Sequence, residues 1–285
     1  MCAVCGCGHS GSDAGRAGRE HSHSHSHTHH AHSRGGEREG QAGAPEFDDV
    51  RLIAIEESIL SKNDAYAAAN RHRFGERQLL ALNLMSSPGA GKTTLLVRTI
   101  ECFGNGRAAG VIEGDQATSY DADRIRATGV EAVQINTGRG CHLDAHMVGH
   151  ALDDLSLPAH GIVFIENIGN LVCPATFDLG EAARVVVLSV AEGDDKPLKY
   201  PDMFAAADLM ILSKIDLLPY VDFDADKVLE RAQRLNPALQ CLKLSARDGT
   251  GMAAWLDWIE SRAVGDGPDL LRAHVPAPAP APDYA

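Results

Sequence analysis

The sequence predicts an α/β fold with a doubly wound, mostly parallel sheet, and two observations carry this prediction. Short apolar runs rich in β-branched residues alternate with helix-length amphipathic segments, which is typical of a parallel sheet buried on both faces. A glycine-rich turn follows the first of these runs and opens a helix. Because ligands of such sheets bind at the carboxyl ends of the strands, functional residues are expected directly after the runs.

The elements follow one another within a single globular domain, residues 46–265. An amphipathic helix is predicted near 48–70, and another begins at Lys92. Strands are predicted at the apolar runs 79–85, 108–112, 130–135, 161–165, 184–190, 208–213 and 239–244. Helices are expected in the segments between them. With 285 residues, the chain can bury a core of ordinary size without disulfides, which excludes a disulfide-stapled miniprotein.

The two ends of the chain do not have the composition of a packed core. Residues 1–45 are rich in Gly, Ser and His and are expected to be disordered without ligand, whereas 266–285 contain an Ala-Pro tract that favours polyproline II. The net charge of −13 disfavours a nucleic-acid partner, whose phosphates would be repelled. No run of 18 apolar residues and no signal-peptide pattern occur, so we expect a cytoplasmic chain with no membrane partner.

The strongest functional signal is the segment SSPGAGKTT, which starts at Ser86 after the first apolar run. Strand, glycine-rich loop, Lys-Thr and helix follow in the order of a phosphate-binding loop, although Ser86 stands where the usual pattern has its first glycine. Backbone amides would face phosphate oxygens, Lys92 would reach the β- and γ-phosphates, and the Thr93 hydroxyl would ligate Mg²⁺. The predicted nucleotide-binding residues of this loop are Gly89, Ala90, Gly91, Lys92, Thr93 and Thr94.

Two later segments indicate guanine as the base. In the SKID segment, the Asp216 carboxylate can accept from guanine N1 and N2, and the stem of Lys214 can pack over the ring. Ser213 replaces the Asn of the usual NKxD pattern and is expected to weaken a supporting hydrogen bond. Ser245 and Ala246 follow the last run and resemble the loop that offers backbone groups to guanine O6. A small-molecule kinase on the same loop, tolerant of adenine, stays as an alternative.

Two acids follow strands at the predicted phosphate edge. Glu166 and Gly169 come after the run 161–165, where a nucleotide-hydrolysing fold places an acid near Mg²⁺ and a glycine amide near the γ-phosphate. Asp115, in IEGDQ, is predicted to ligate Mg²⁺ or to orient the attacking water, with loop capping as the alternative. Together with Lys92, these two acids are the candidate catalytic residues for GTP hydrolysis.

The arm at residues 1–45 carries two kinds of metal ligand. Cys2, Cys5 and Cys7 form a CxxCGC cluster, and with the α-amine of Cys2, freed if Met1 is removed, they would offer three sulfurs and one nitrogen. In a plane, this set suits Ni²⁺ better than a tetrahedral Zn²⁺ site. A second set of ligands is predicted to buffer metal, with a solvated polar linker as the alternative. It consists of His21, His23, His25, His27, His29, His30 and His32.

A further cluster is predicted inside the globular domain. Cys141 and His142 are expected to open a helix after the run 130–135, and Cys173 follows Glu166, so all would lie at the nucleotide edge of the sheet. These three ligands are fewer than the four of a closed zinc site, unless water, His146 or a second copy of the chain completes the set. The alternative is that both cysteines are small core residues.

Taken in order, the segments CxxCGC, SSPGAGKTT, IEGDQ, TGRGCH, ENIGNLVCP and SKID, with the His-rich arm, resemble the HypB family. The resemblance implies a P-loop GTPase of the SIMIBI class that hydrolyses GTP and forms a GTP-dependent homodimer. It also implies partnership with a HypA-type zinc protein and nickel delivery to an [NiFe]-hydrogenase large subunit. The family ligands for nickel or zinc in the globular domain would be Cys141, His142 and Cys173, and those for tight nickel binding Cys2, Cys5 and Cys7.

The position of Cys173 suggests how metal and nucleotide are coupled. If GTP and Mg²⁺ hold the segment that begins at Glu166, the distance from Cys173 to Cys141 and His142 should depend on the nucleotide. A change in metal affinity of about a hundredfold needs about 2.7 kcal/mol of coupling, which is ordinary for linked sites. A nickel storage or buffering protein with a regulatory nucleotide domain is the alternative function.

Overall fold

In a computed structural model, the structure describes residues 46–265 except Ala117. The predictions for the arm, including Cys2, Cys5, Cys7 and the seven histidines, and for the tail at 266–285 lie outside the described residues. The described chain divides by its contacts into two units, 46–57 and 58–265. The first is a stretch of helix, and the second contains the sheet and all the contacts described below.

The second unit is built on a parallel sheet whose strands lie in the order β3-β2-β4-β1-β5-β6-β7. These strands are β1 Leu80–Ser86, β2 Ala109–Asp115, β3 Glu131–Asn136, β4 Ile162–Glu166, β5 Ala183–Ser189, β6 Leu209–Ser213 and β7 Gln240–Lys243. Every predicted apolar run is a strand, so the predicted α/β fold with a parallel sheet is confirmed. The central strands β1, β4 and β5 are buried along their whole length, whereas the edge strands β3 and β7 are partly exposed.

Helices of unequal length precede, connect and follow the strands. They are α1 Glu46–Glu76, α2 Lys92–Phe103, α3 Tyr120–Arg126, α4 Ala145–Asp153, α5 Cys173–Thr176, α6 Lys196–Lys199, α7 Pro201–Ala205, a 3₁₀ helix Ile215–Tyr220, α8 Ala225–Leu235 and α9 Met252–Gly265. The first helix runs beyond the predicted end at residue 70. The expectation of full helices between all strands is wrong for the connection from β4 to β5, where the only helix is α5, of four residues. Side-chain hydrogen bonds hold much of this connection instead.

The core lies on both faces of the sheet because successive strand residues point to opposite sides. Leu82 and Leu84 of β1 pack with Trp255 of α9 on one face, whereas Ala81 and Met85 belong to clusters on the other. Because all the strands are parallel, their carboxyl ends lie at one edge of the sheet, where the predicted site residues lie. No helix among the residues searched is long and apolar enough to cross a membrane.

Candidate functional site

The loop between β1 and α2 has the backbone of a phosphate-binding loop. Gly89 and Gly91 have φ angles of 76° and 101°, a left-handed conformation that glycine adopts without steric cost. The loop borders a cleft of about 520 Å³, together with the ends of β2 and β4 and the side chain of Lys214. Thr93 and Thr94 of α2 also line this cleft, whereas Ala90, within the loop, is buried.

Lys92 is held inside the loop by the residue that departs from the usual pattern. Its Nζ donates to the hydroxyl of Ser86 over 2.8 Å, and that hydroxyl donates to the Ser87 carbonyl over 2.6 Å. Burial lowers the pKa of Lys92, and Glu166 acts in the opposite direction. The ammonium group therefore has one neutral partner in place, which phosphate oxygens would replace or join.

Two buried carboxyl groups lie on neighbouring strands at the cleft, and one of them contacts Thr93. The Thr93 hydroxyl donates to Glu166 Oε1 over 2.8 Å, and Glu113 of β2 is the register partner of Glu166 in β4. Burial raises the pKa of Glu113 to about 8, with Glu166 as the next cause, and burial raises the pKa of Glu166 to about 7. Among the described residues, Oε2 of neither carboxyl group has a hydrogen-bond partner. Buried oxygens of this kind beside a phosphate loop fit Mg²⁺, a cation that prefers carboxylate oxygens.

Asp115 lines the same cleft, but its carboxylate also organises the loop that follows β2. It accepts hydrogen bonds from the backbone N–H of Gln116 over 2.6 Å and from the N–H and hydroxyl of Thr118 over 3.1 and 2.6 Å. The loop-capping alternative describes these bonds. A role of Asp115 at Mg²⁺ or at the attacking water stays a prediction.

The predicted guanine segment is joined to the phosphate loop. Lys214 has a left-handed backbone, and its Nζ donates to the Gly89 carbonyl over 2.7 Å. The Ser213 hydroxyl donates to the Ala90 carbonyl over 2.7 Å. Serine therefore forms a hydrogen bond to the phosphate loop, although we expected serine in place of Asn to weaken a supporting bond. Asp216 lies in the first turn of the 3₁₀ helix and is half-buried.

The last predicted guanine contacts lie farther from the cleft. The backbone N–H of Ser245 donates to the Thr250 carbonyl over 2.9 Å, which closes the loop after β7 on itself. Within the described part of the chain, the lining of the cleft includes Lys214 but not Asp216, Ser245 or Ala246. Their contacts with the base stay predictions.

The three metal-ligand candidates of the globular domain lie together. The sulfurs of Cys141 and Cys173 are 3.1 Å apart, beyond the roughly 2.05 Å of a disulfide, and the Cys141 sulfur is 3.6 Å from Nδ1 of His142. All three ligand atoms lie within 4.8 Å of one another. The expectation that Cys141 and His142 open a helix is wrong, because α4 begins at Ala145, where the Asp144 carboxylate caps it. We call Cys141, His142 and Cys173 the thiol cluster.

The surroundings of the thiol cluster favour metal binding. The His142 ring stacks on Phe177 with centroids 4.0 Å apart, and burial lowers the pKa of His142, which Asp144 partly opposes. The neutral imidazole is the form that ligates metals. Asn170 donates to the Cys141 carbonyl over 3.2 Å, and Cys173, with 0% exposure, begins α5. Within the part of the chain that the structure describes, the cluster therefore brings together two sulfurs and one nitrogen, one donor fewer than a closed zinc site has.

Comparisons with known proteins agree with this geometry. The family model described as CobW/HypB/UreG, nucleotide-binding domain, matches residues 80–243. The hydrogenase maturation factor HypB of Azotobacter vinelandii is 61% identical over 225 residues, which cover 79% of this chain and 74% of that protein. The chain belongs to the HypB family. HypB proteins are P-loop GTPases, so the predicted family and the predicted GTPase activity are confirmed.

Two solved HypB structures share the fold. HypB from Helicobacter pylori, in complex with nickel, superposes with a TM-score of 0.68 at 41% sequence identity, over 72% of this chain and 96% of that one. HypB from Archaeoglobus fulgidus gives a TM-score of 0.68 at 40% identity, over 72% of this chain and 100% of that one. These matches cover the sheet domain and confirm its α/β P-loop fold.

Asn167, which links the cleft to the thiol cluster in this HypB-family chain, is a site residue that the sequence did not predict. Asn167 is 1% exposed and lines the cleft. Its Oδ1 accepts from the backbone N–H of Leu143 over 3.1 Å and of Ile168 over 3.0 Å, and its Nδ2 donates to Asn83 over 3.4 Å. Leu143 directly follows His142. An amide directly after a buried strand was the available signal.

Glu113 and the buried polar groups that contact α5 were not predicted either. Glu113 lies two residues before Asp115, and this spacing in a strand places both side chains on one face, so IEGDQ contained the signal. Arg184 donates to the Ala175 carbonyl of α5 over 3.1 Å and to Glu181 over 2.7 Å. No local pattern indicated these contacts.

Proposed function

We propose that the chain is a GTP-hydrolysing nickel metallochaperone that binds Ni²⁺ and delivers it to the large-subunit precursor of an [NiFe]-hydrogenase. Its nickel affinity at the thiol cluster depends on the bound nucleotide. The observation that carries the proposal is Asn167, whose side chain borders the phosphate cleft and accepts the N–H of Leu143 beside His142. The nickel-bound structure of the H. pylori relative supports nickel as the cargo.

The cleft residues would act on GTP mainly by positioning and charge, as in other phosphoryl-transfer sites. The Lys92 ammonium and the loop amides would bind the phosphate oxygens. Thr93 and Glu166, with Glu113 beside them, would hold Mg²⁺, which when bound neutralises charge on the β- and γ-phosphates. Asp115 or Glu166 would orient the attacking water. Asp216 would select guanine, and Lys214 would pack on the base.

The segment from Glu166 to Cys173 would transmit the nucleotide state. Gly169 packs against the phosphate loop so closely that a Cβ there would lie 2.8 Å from Cα of Pro88. A γ-phosphate that displaces this segment would move Asn167, and with it the Leu143 amide and the His142 imidazole. The distances within the thiol cluster would then differ between GTP and GDP, which changes nickel affinity.

Among the described residues, only these three His, Cys, Asp or Glu donors come together at the thiol cluster, and this supports a homodimer or a partner in the transfer step. Two copies would offer six ligands across a shared interface. A GTP-dependent homodimer with the clusters apposed, and a HypA-type protein that exchanges zinc or nickel with them, are the partners we propose. Zn²⁺ is the second metal that this donor set suits.

The first test is a nickel titration of the full chain and of Cys141→Ala, each with GDP or with a nonhydrolysable GTP analogue. The arm is the same in both proteins, so the difference between them isolates the thiol cluster. We expect the wild type to bind about one more nickel ion per chain or per dimer than the variant. The affinity for this ion should differ between GDP and the GTP analogue. Cys102→Ala, which removes an exposed thiol of α2, is the matched control. Equal affinities with both nucleotides would contradict the proposal.

The thiols and histidines of the arm favour nickel storage as a second function. Deletion of residues 1–45 separates the two. If hydrogenase maturation at limiting nickel survives the deletion and stored nickel is lost, delivery by the GTPase is the main function. If both hydrogenase maturation and nickel storage are lost, maturation depends on the metal bound by the arm.

A further inference from the structure

The outer face of α4 carries a histidine pair that the nucleotide and thiol sites do not use. His146 and His150 are exposed and lie four residues apart, so they share one face of the helix. Their Nε2 atoms approach to 3.1 Å, with the rings at 84° to each other. Two imidazole nitrogens of adjacent helical turns therefore point at one place in the solvent.

This separation matches the bite of two imidazoles on one metal ion. Nitrogen ligands lie about 2.0–2.1 Å from zinc, so two of them at angles between about 90° and 110° are about 2.9–3.4 Å apart. Histidines at i and i+4 on one helix face are an established zinc-binding arrangement. A hydrogen bond between two neutral rings has the same length and is the competing explanation.

The surroundings hold the pair in place and leave it open. The Tyr66 ring packs edge-on against the His146 ring with centroids 4.8 Å apart, which fixes one imidazole. His146 also borders a pocket of about 290 Å³ whose lining includes Lys62, Asp144 and Phe177. One cation and one carboxylate thus flank the pocket, and water can complete a coordination shell at the exposed side.

We propose that His146 and His150 form a second metal site for a borderline divalent cation such as Ni²⁺ or Zn²⁺, with water at the remaining positions. Neither residue lines the nucleotide cleft, so this site should bind metal equally with GDP and with a GTP analogue. It borders the thiol cluster through Phe177, which stacks on His142 and lines the pocket beside His146. An ion bound there would lie next to the thiol cluster and would be open to exchange with the solvent.

The test is protection of each imidazole in the full chain from diethyl pyrocarbonate by Ni²⁺ alone, with the modified histidines located by peptide fragmentation. This readout resolves single residues and is therefore independent of the arm. We expect Ni²⁺ to slow modification of His146 and His150 by at least about tenfold with one common midpoint. His72, exposed on α1 and paired with Glu76, is the internal control and should not be protected.

Variants decide between a metal site and a hydrogen-bonded pair. In His150→Gln, the nickel concentration that protects His146 should rise at least about tenfold, and the reciprocal variant should do the same for His150. Protection should persist in Cys141→Ala, whose thiol cluster is broken, so the result does not depend on the proposed function. Protection that is absent in the wild type, unaffected by His150→Gln, or lost in Cys141→Ala would overturn the proposal.

Discussion

Replacement of Asn167 by Ala should uncouple nickel binding from the nucleotide. The change leaves the buried N–H groups of Leu143 and Ile168 without their acceptor and removes the donor to Asn83. Each unsatisfied amide costs about 1–3 kcal/mol, so the free energy of unfolding should fall by a few kcal/mol. If the nucleotide changes nickel affinity about a hundredfold, which is about 2.7 kcal/mol, the variant should retain less than about a threefold effect.

Two variants make this result interpretable. Asn170→Ala removes the bond to the Cys141 carbonyl but leaves the bond from the Leu143 amide to Asn167 in place, so it should weaken nickel binding and keep the nucleotide effect. Asn167→Asp keeps an acceptor for the two amides and should retain the coupling if the fold is intact. Nickel titrations with GDP and with a GTP analogue, beside urea unfolding, measure both quantities. A full nucleotide effect in folded Asn167→Ala would refute the argument.

The other predictions concern the cleft and the docking of α1. Glu113→Gln should weaken the Mg²⁺-dependent part of GTP binding at least about tenfold and leave Mg²⁺-free binding unchanged, as measured by nucleotide fluorescence; equal Mg²⁺ dependence would exclude Glu113 from the cation site. Gly169→Ala should lower GTP hydrolysis at least about tenfold because its Cβ would lie 2.8 Å from Cα of Pro88, and an unchanged rate would show that this segment yields freely. Asp178→Asn should lose about 1.5–3 kcal/mol of unfolding free energy at pH 7. Burial alone would raise the pKa of Asp178, but the bonds from Arg71 and Gly180 hold it below its ordinary 3.8. The stabilisation is therefore present above pH 3.8 and is lost as the pH falls through the pKa of the folded state. Urea unfolding at pH 7 and pH 3 should therefore show wild type and variant converging in acid, and a constant difference would contradict the assignment.

Much of the fold was predictable because it follows from local patterns. The apolar runs are strands since a parallel sheet covered on both faces requires continuous apolar sequence. The phosphate loop and the edge position of Cys141 and Cys173 followed from the same strand assignments. The order of strands then brings the two cysteines, 32 residues apart in sequence, to adjacent positions.

The contacts that escaped prediction are long-range and polar. Asn83 donates to Glu181, 98 residues later, over 3.1 Å, and the same carboxyl group accepts from Arg184. Nothing in either local sequence distinguishes these residues from surface polar groups, because their burial is set by the tertiary arrangement. Asn167 differs in that it directly follows a buried strand, but its partner Leu143 is identified only by the meeting of two loops.

The claim that nickel affinity at the thiol cluster depends on the third phosphate is tested most directly by the reverse effect, that of nickel on nucleotide affinity. If the nucleotide changes nickel affinity, nickel must change the preference for GTP over GDP by the same factor. The affinities for GDP and for a nonhydrolysable GTP analogue should be measured with and without Ni²⁺ in the wild type and in Cys141→Ala. We expect nickel to change their ratio in the wild type alone, whereas a ratio unaffected by nickel in both proteins would contradict the account.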